Sequence, residues 1–177
     1  MHILDIKRDL IALGIDPQDY RVLKLLPLVY VAWADGRMEH VEHARIMEVA
    51  LNRFRVGESG ARVLQHWLSV PPSRVYVERG LSDLLGLALA PDELDVTLED
   101  LPELLLHAEG IARSTAAALD APWAVTPEEE HALAEIARLL CVDSGKSWAA
   151  LLRELDGGRQ SLLTVRMSRP PGQPRSA

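Results

Sequence analysis

Residues 25–51, LLPLVYVAWADGRMEHVEHARIMEVAL, carry the pattern that decides the fold. The stretch opens with a segment that is apolar on nearly every helical face, which is typical of a helix at the centre of a domain. It breaks at Ala34-Asp35-Gly36, because glycine tolerates the left-handed backbone that often ends a helix. The next segment begins with acidic residues, as helix starts prefer. The sequence therefore predicts two adjacent helices joined by a tight acidic turn at Gly36.

Signals for helix starts and breaks occur along the rest of the chain. Asp16-Pro17 is a capping residue followed by proline. Thr126-Pro127-Glu128-Glu129 is a capping box, in which the threonine and the last glutamate satisfy free amides reciprocally. Pro27 marks either a kink or the true start of the central helix. Pro71-Pro72-Ser73 separates two further helices, and another helix is predicted over residues 98–118.

The fold class is predicted as all-α, because strand patterns are nearly absent. Apolar residues make up 48% of the 177 residues and aromatic residues only 5%, so the core must consist mostly of aliphatic side chains that pack well between helices. We predict one domain of seven to eight helices over residues 1–157. Residues 158–177 form a proline- and arginine-rich tail, which we predict to be disordered.

A weaker copy of the opening pattern follows later in the chain. Leu26-Pro27 through Ala34-Asp35-Gly36 resembles Leu101-Pro102 through Ala108-Glu109-Gly110, with one residue deleted. In the helices that follow, Glu42 matches Glu129. The two predicted repeat halves cover about residues 17–70 and 98–156, and they indicate an internal pseudo-two-fold repeat.

The charge is unevenly distributed along the chain. The net charge is −7, and residues 91–135 hold 12 acidic residues against the single basic residue Arg113. An acidic middle without a basic patch argues against nucleic acid as a partner. It fits a cation or a basic protein surface, or simply a solvated acidic face.

The single cysteine and the length of the apolar runs indicate the cellular compartment of the protein. Cys141 excludes an intramolecular disulfide and fits a reducing compartment, so we predict a bacterial cytoplasm. We expect Cys141 to be a small core residue, and the four tryptophans to be core or interface anchors. The N-terminus does not read as a signal peptide, and no apolar run is long enough to span a membrane, so direct membrane insertion is not expected.

Asp35, Glu39 and Glu42 are candidate ligands for a hard cation such as calcium or magnesium, since they place three carboxylates around a glycine turn. Their spacing is not that of an EF-hand loop. The structural alternative is that Glu42 satisfies free amides at a helix start and that Asp35 hydrogen-bonds the turn.

Two pairs of side chains suggest a transition-metal centre instead. His40 and His43 lie three residues apart, and so do Glu128 and His131. If their helices face each other, the pairs could bind zinc or iron in a metal-dependent enzyme. The alternative is that all these histidines are exposed to solvent. Nothing in the sequence indicates nucleophilic catalysis.

The turn motif and its echo resemble the tellurite-resistance TerB-like family, which also includes N-terminal domains of DnaJ-like co-chaperones. The resemblance implies an all-helical, internally pseudo-symmetric domain with acidic residues that bind metal ions, a link to stress responses, and no established catalysis. By position, Asp35, Gly36 and Glu42 match the first motif, and Glu129 matches its echo. Glu39 departs from the pattern, because the family often has a capping serine there.

These observations together predict a non-catalytic binding module. Its acidic surface is expected to engage a divalent cation, a basic protein partner, or both, in a tellurite-type stress response. The alternatives are a metal-dependent enzyme with a His/Glu site and a purely structural scaffold.

Overall fold

The computed structural model describes residues 3–90, 96–118 and 125–142. The chain divides into two units, Met1–Val142 and Asp143–Ala177, and every described residue belongs to the first. The predicted last helix, the predicted tail, Trp123 and Trp148 therefore lie outside the described residues.

The described residues form seven α-helices and one 3₁₀ segment, and none of them forms a strand, so the all-α prediction is confirmed. The 3₁₀ segment, Pro17–Leu25, lies between α1 and α2. The α-helices, in chain order, are α1 (Ile3–Ala12), α2 (Leu26–Ala32), α3 (His40–Asn52), α4 (Glu58–Ser69), α5 (Arg74–Leu89), α6 (Asp100–Ala118) and α7 (Pro127–Leu139).

Helix α2 is the centre of this unit. Six of its seven residues are buried, as expected for a helix that is apolar on nearly every face. It packs most extensively on α6, and it also contacts α3, α5, α7 and the 3₁₀ segment. Because α2 meets so many neighbours, the positions of its last residues are determined by most of the fold.

Pro27 marks a helix start, which was one of its two predicted roles. It lies in the first turn of α2, and the residues before it adopt the tighter 3₁₀ geometry. Proline is tolerated in a first turn because the amide hydrogen it lacks has no intrahelical partner there.

The prediction that Cys141 is a core residue is wrong. Its side chain is exposed, and its φ of +53° places it in the left-handed region just after α7. The neighbouring Leu140 is only 1% exposed and fills the core instead. The helix ends at Leu139, two residues before Cys141, so the helical periodicity that suggested burial does not extend to Cys141.

None of the helices in the described ranges has both the length and the apolar character needed to cross a bilayer.

Candidate binding groove

The predicted acidic turn after α2 is present. Gly36 has a φ of +83°, and its amide donates to the carbonyl of Trp33 at 2.9 Å. The Oδ1 atom of Asp35 accepts a hydrogen bond from the amide of Arg37 at 2.9 Å. Asp35 therefore stabilises the turn in the way its structural alternative predicts.

Glu42 and Glu129 cap the starts of α3 and α7. The Oε2 atom of Glu42 accepts a hydrogen bond from the amide of Glu39 at 2.8 Å, and Glu42 is only 2% exposed. At the start of α7, Oε2 of Glu129 accepts from the amide of Thr126 at 2.7 Å, and the amide of Glu129 donates to Oγ1 of Thr126 at 3.2 Å. The capping box predicted at Thr126 is confirmed, and the departure at Glu39 does not prevent the same glutamate contact.

The candidate metal ligands are not assembled into a cluster. Asp35 and Glu39 are exposed, whereas Glu42 and Glu129 are buried at two different helix starts. Within residues 3–90, 96–118 and 125–142, no group of three or more His, Cys, Asp or Glu side chains is placed to hold an ion. The predicted calcium or magnesium site on these four residues therefore stays a prediction.

The two candidate transition-metal pairs do not share a groove. His40 contributes to a shallow groove beside Ser114 of α6. Glu128 and His131 line another groove, which does not include His40 or His43. All four side chains are exposed, and the described residues contain no group of three or more potential ligands, so the structure does not bring the pairs together.

Four of the eight acidic residues described in the acidic middle of the chain pair with cations within the protein. Asp100 lies 3.6 Å from Nζ of Lys24, and Glu103 pairs with Arg53 at 2.5 Å. The buried carboxylates of Glu109 and Glu135 pair with Arg113 and Arg74, respectively. The exposed acids of this segment in the described residues include Glu99, Glu128 and Glu130. Within the described part of this segment, fewer unpaired carboxylates are therefore exposed than the sequence predicted.

The groove that contains Glu128 and His131 lies where the end of α2 meets the first turns of α7 and the loop before α5. It has a volume of about 440 Å³. Aromatic, proline and acidic residues share its surface with small ones, and the lining residues are Tyr30, Trp33, Ala34, Pro71, Pro72, Pro127, Glu128, His131 and Ala132.

A hydrogen-bond network holds Tyr30 in this groove. Its hydroxyl donates to Oε2 of Glu135 at 2.6 Å, and Arg74 donates to the other oxygen of the same carboxylate at 2.5 Å. Burial and the bonded carboxylate raise the pKa of Tyr30 to about 12. The hydrogen bond from Tyr30 in turn lowers the pKa of Glu135. Tyr30 therefore stays neutral and Glu135 stays ionised at neutral pH.

Trp33 is held by a different bond. Its Nε1 donates to the backbone carbonyl of Trp67 at 2.9 Å, and Trp67 packs edge-on against Tyr76 with ring centroids 5.8 Å apart. Trp67 is a core residue, at 2% exposure, whereas Trp33 is only partly buried. The core role predicted for the tryptophans is thus confirmed for Trp67, whereas Trp33 lines the groove.

The sequence did not identify Tyr30, Trp33, Pro71 and Pro72 as one site. The three-residue spacing of Tyr30 and Trp33 on α2 was the available signal, because such residues share a helix face. Nothing local indicates that the diproline, nearly 40 residues later in the chain, lies beside them.

Comparisons of the chain with protein-family models, with curated proteins and with solved structures find no match. The TerB-like assignment therefore stays a prediction.

Proposed function

We propose that this protein is a non-catalytic, TerB-like helical binding module that holds a basic segment of a partner protein. In this proposal the halves 17–70 and 98–156 are repeats of one helical unit. The observation that carries the proposal is the groove between the end of α2 and the start of α7, where aromatic side chains lie beside the exposed Glu128.

The local charge supports a basic partner. The first turn of α7 contains Glu128, Glu129 and Glu130. Three carboxylates exceed the partial positive charge of a helix N-terminus, which is roughly half an elementary charge. The arginine of the Tyr30 network, Arg74, is already paired with Glu135 and with Glu78. A cationic segment is therefore attracted to this edge of the molecule.

Binding rather than catalysis suits the chemistry of the groove. The Tyr30 hydroxyl donates to Glu135, and its raised pKa opposes ionisation, so it is a poor acid–base group. His131 and Glu128 are exposed, where water competes for the contacts that a catalytic group needs. The alternative of a metal-dependent enzyme needs His40 and His43 as ligands together with Glu128 and His131.

The divalent cation remains part of the proposal as a second ligand. Glu42 and Glu129 are buried at helix starts, whereas Asp35 and Glu39 are exposed, so Asp35 and Glu39 are the ligands that an ion reaches first. We also propose, from the family resemblance and the single cysteine, a cytoplasmic role in a tellurite-type stress response.

The test is binding to peptides of matched length and increasing positive charge, followed by fluorescence anisotropy. We expect basic peptides to bind, acidic ones not to bind, and affinity to fall as salt rises from about 50 to 500 mM, because ions screen exposed charges. Equal binding of acidic and basic peptides, or none at all, contradicts the proposal.

Thermal melts with calcium, magnesium, zinc and manganese test the cation separately. An ion that binds the folded state raises the melting temperature. If no ion raises the melting temperature at millimolar concentration, the proposal that the protein binds a divalent cation is wrong. The proposal of a basic partner segment does not depend on this result.

A further inference from the structure

The aromatic residues of the groove present ring surface rather than free polar atoms. Tyr30 and Trp33 are both partly exposed, and they lie three residues apart, on the same side of α2. Their hydroxyl and indole N–H donate inward, to Glu135 and to the carbonyl of Trp67. A ligand in the groove therefore meets two ring systems whose orientations are already determined by the fold.

The prolines restrict how a partner chain can be recognised. Pro71, Pro72 and Pro127 line the groove and have no amide hydrogen to donate. Since strand addition depends on alternating backbone donors and acceptors, this surface does not favour it. Aromatic and proline surfaces instead suit an extended segment in the polyproline conformation, whose rings pack against them.

The position of Glu128 selects for a positive charge. It is exposed, it lines the same groove as both aromatic residues, and no ion pair to it is seen among the described residues. A cation over an aromatic ring is attracted by the ring quadrupole, and a carboxylate beside it adds direct ionic attraction. The groove thus offers two complementary contacts for one cationic side chain.

We propose that this groove receives an arginine side chain carried by a proline-flanked, extended segment of a partner protein. The guanidinium packs against the rings of Tyr30 and Trp33 and pairs with Glu128, while the flanking prolines contact Pro71 and Pro72. The inference rests on the proposed function and specifies its partner. The volume of about 440 Å³ is within the range of sites that hold small ligands, so one arginine with its neighbours is a suitable size.

Arginine is favoured over lysine for a physical reason. The guanidinium is planar and weakly hydrated, so it stacks on an aromatic face and forms two parallel hydrogen bonds to a carboxylate. The ammonium of lysine is compact and strongly hydrated, and it loses more hydration on entering a groove lined by rings and prolines.

The experiment measures the binding of four fluorescent peptides, GPPRPPG, GPPKPPG, GPPQPPG and GAARAAG, to the full chain. We expect GPPRPPG to bind most tightly, the lysine and alanine versions several-fold more weakly, and the glutamine version not measurably. Glu128→Gln should weaken the arginine peptide by about fivefold, the effect of one exposed charge contact. Glu130→Gln is the matched control, since it removes the same charge from the same helical turn, and it should change binding by less than about twofold.

The aromatic contact is tested with two variants of one residue. Trp33→Phe retains a ring and should retain most binding, whereas Trp33→Leu should abolish the preference of the protein for arginine over lysine. Circular dichroism melts establish that each variant is folded. Tyr30→Phe retains the ring and serves as a check that loss of the Glu135 bond alone does not remove binding.

The outcomes separate the two proposals. If basic peptides bind but arginine and lysine are equivalent, or if Glu128→Gln and Glu130→Gln weaken binding equally, the arginine groove is wrong and diffuse charge attraction explains the binding. If no peptide with positive charge binds, including long polylysine and polyarginine probes, the proposed function itself is wrong.

Discussion

Two segments with similar sequences take different structures in this protein. Residues 26–36 form helix α2 and then the turn at Gly36, whereas residues 101–110 lie within the continuous helix α6. Both segments begin with Leu-Pro and end with alanine, an acid and glycine. The glycine in each segment is compatible with a helix end. The chain turns at Gly36, whereas helix α6 continues through Gly110.

The residues after each glycine explain the difference. Gly110 is followed by Ile111 and Ala112, which are 1% and 0% exposed, so extending the helix buries apolar surface. Glu109 and Arg113 also pair across one turn of that helix. Gly36 is followed by the exposed Arg37, which gains no such burial. The comparison teaches that a glycine permits a helix end, while the burial of its neighbours decides whether the helix continues.

The largest effect should come from removing that burial. We expect Ile111→Ala to lower the free energy of unfolding by about 2–4 kcal/mol, because it leaves a cavity where α6 packs in the core. The matched change Arg37→Ala, at the corresponding position after Gly36, should alter stability by less than about 0.5 kcal/mol. Urea unfolding followed by circular dichroism measures both. Similar losses in the two variants would remove burial as the explanation.

The helices that follow the two segments, α3 and α7, begin with similar caps. These caps should contribute equally to the free energy of unfolding. We expect Glu42→Ala and Glu129→Ala each to cost about 1–2 kcal/mol, since each leaves a helix-start amide without its carboxylate partner. Glu130→Ala is the control, because this exposed residue makes no capping contact among the described residues. A cost at only one of the two sites, by the same unfolding measurement, would show that the caps are not equivalent.

Two buried carboxylates, those of Asp83 and Glu109, differ in their polar partners. Asp83 in α5 is 3% exposed, and its Oδ2 has no hydrogen-bond partner in the described structure, whereas Glu109 has Arg113. Burial, together with the charge of Asp9 and against that of Arg79, raises the pKa of Asp83 to about 6.

A raised pKa means that the folded protein binds this proton more tightly than the unfolded chain. The contribution of the protonated Asp83 carboxyl to the free energy of unfolding is fully present below about pH 4. It is lost as the pH rises through about 6. Asp83→Asn should therefore raise stability at pH 8, by about 1–2 kcal/mol after solvent screening, and leave it nearly unchanged at pH 4. Thermal melts across this range measure the difference. A benefit that does not depend on pH would contradict the assignment.

The smallest effects, of opposite sign, should come from the two glycines themselves. Gly36→Ala should cost about 1 kcal/mol, because an added Cβ is strained at a φ of +83° although no atom lies within 4 Å of it. Gly110→Ala should stabilise the protein by about 0.5–1 kcal/mol, since alanine is a better helix former and its Cβ also meets no atom within 4 Å. Melting temperatures that shift in the same direction would contradict this.

The sequence determined the parts of this fold that depend on neighbours within about one helical turn. The turn at Gly36 and the capping box at Thr126 could be predicted, and Pro27 could be limited to a kink or a helix start, because each rests on hydrogen bonds or backbone preferences spanning three or four residues. The long apolar stripes predicted an all-helical fold for the same reason.

The tertiary structure alone decided which of these elements meet. Tyr30 and Glu135 are 105 residues apart, and Trp33 and Trp67 are 34 apart, yet these bonds shape the groove. Ion pairs between residues distant in sequence also neutralise acids such as Glu103, which pairs with Arg53. The sequence alone had placed these acids on an acidic binding surface. Such contacts depend on which helix faces pack together, and that is a property of the whole core, which no local pattern encodes.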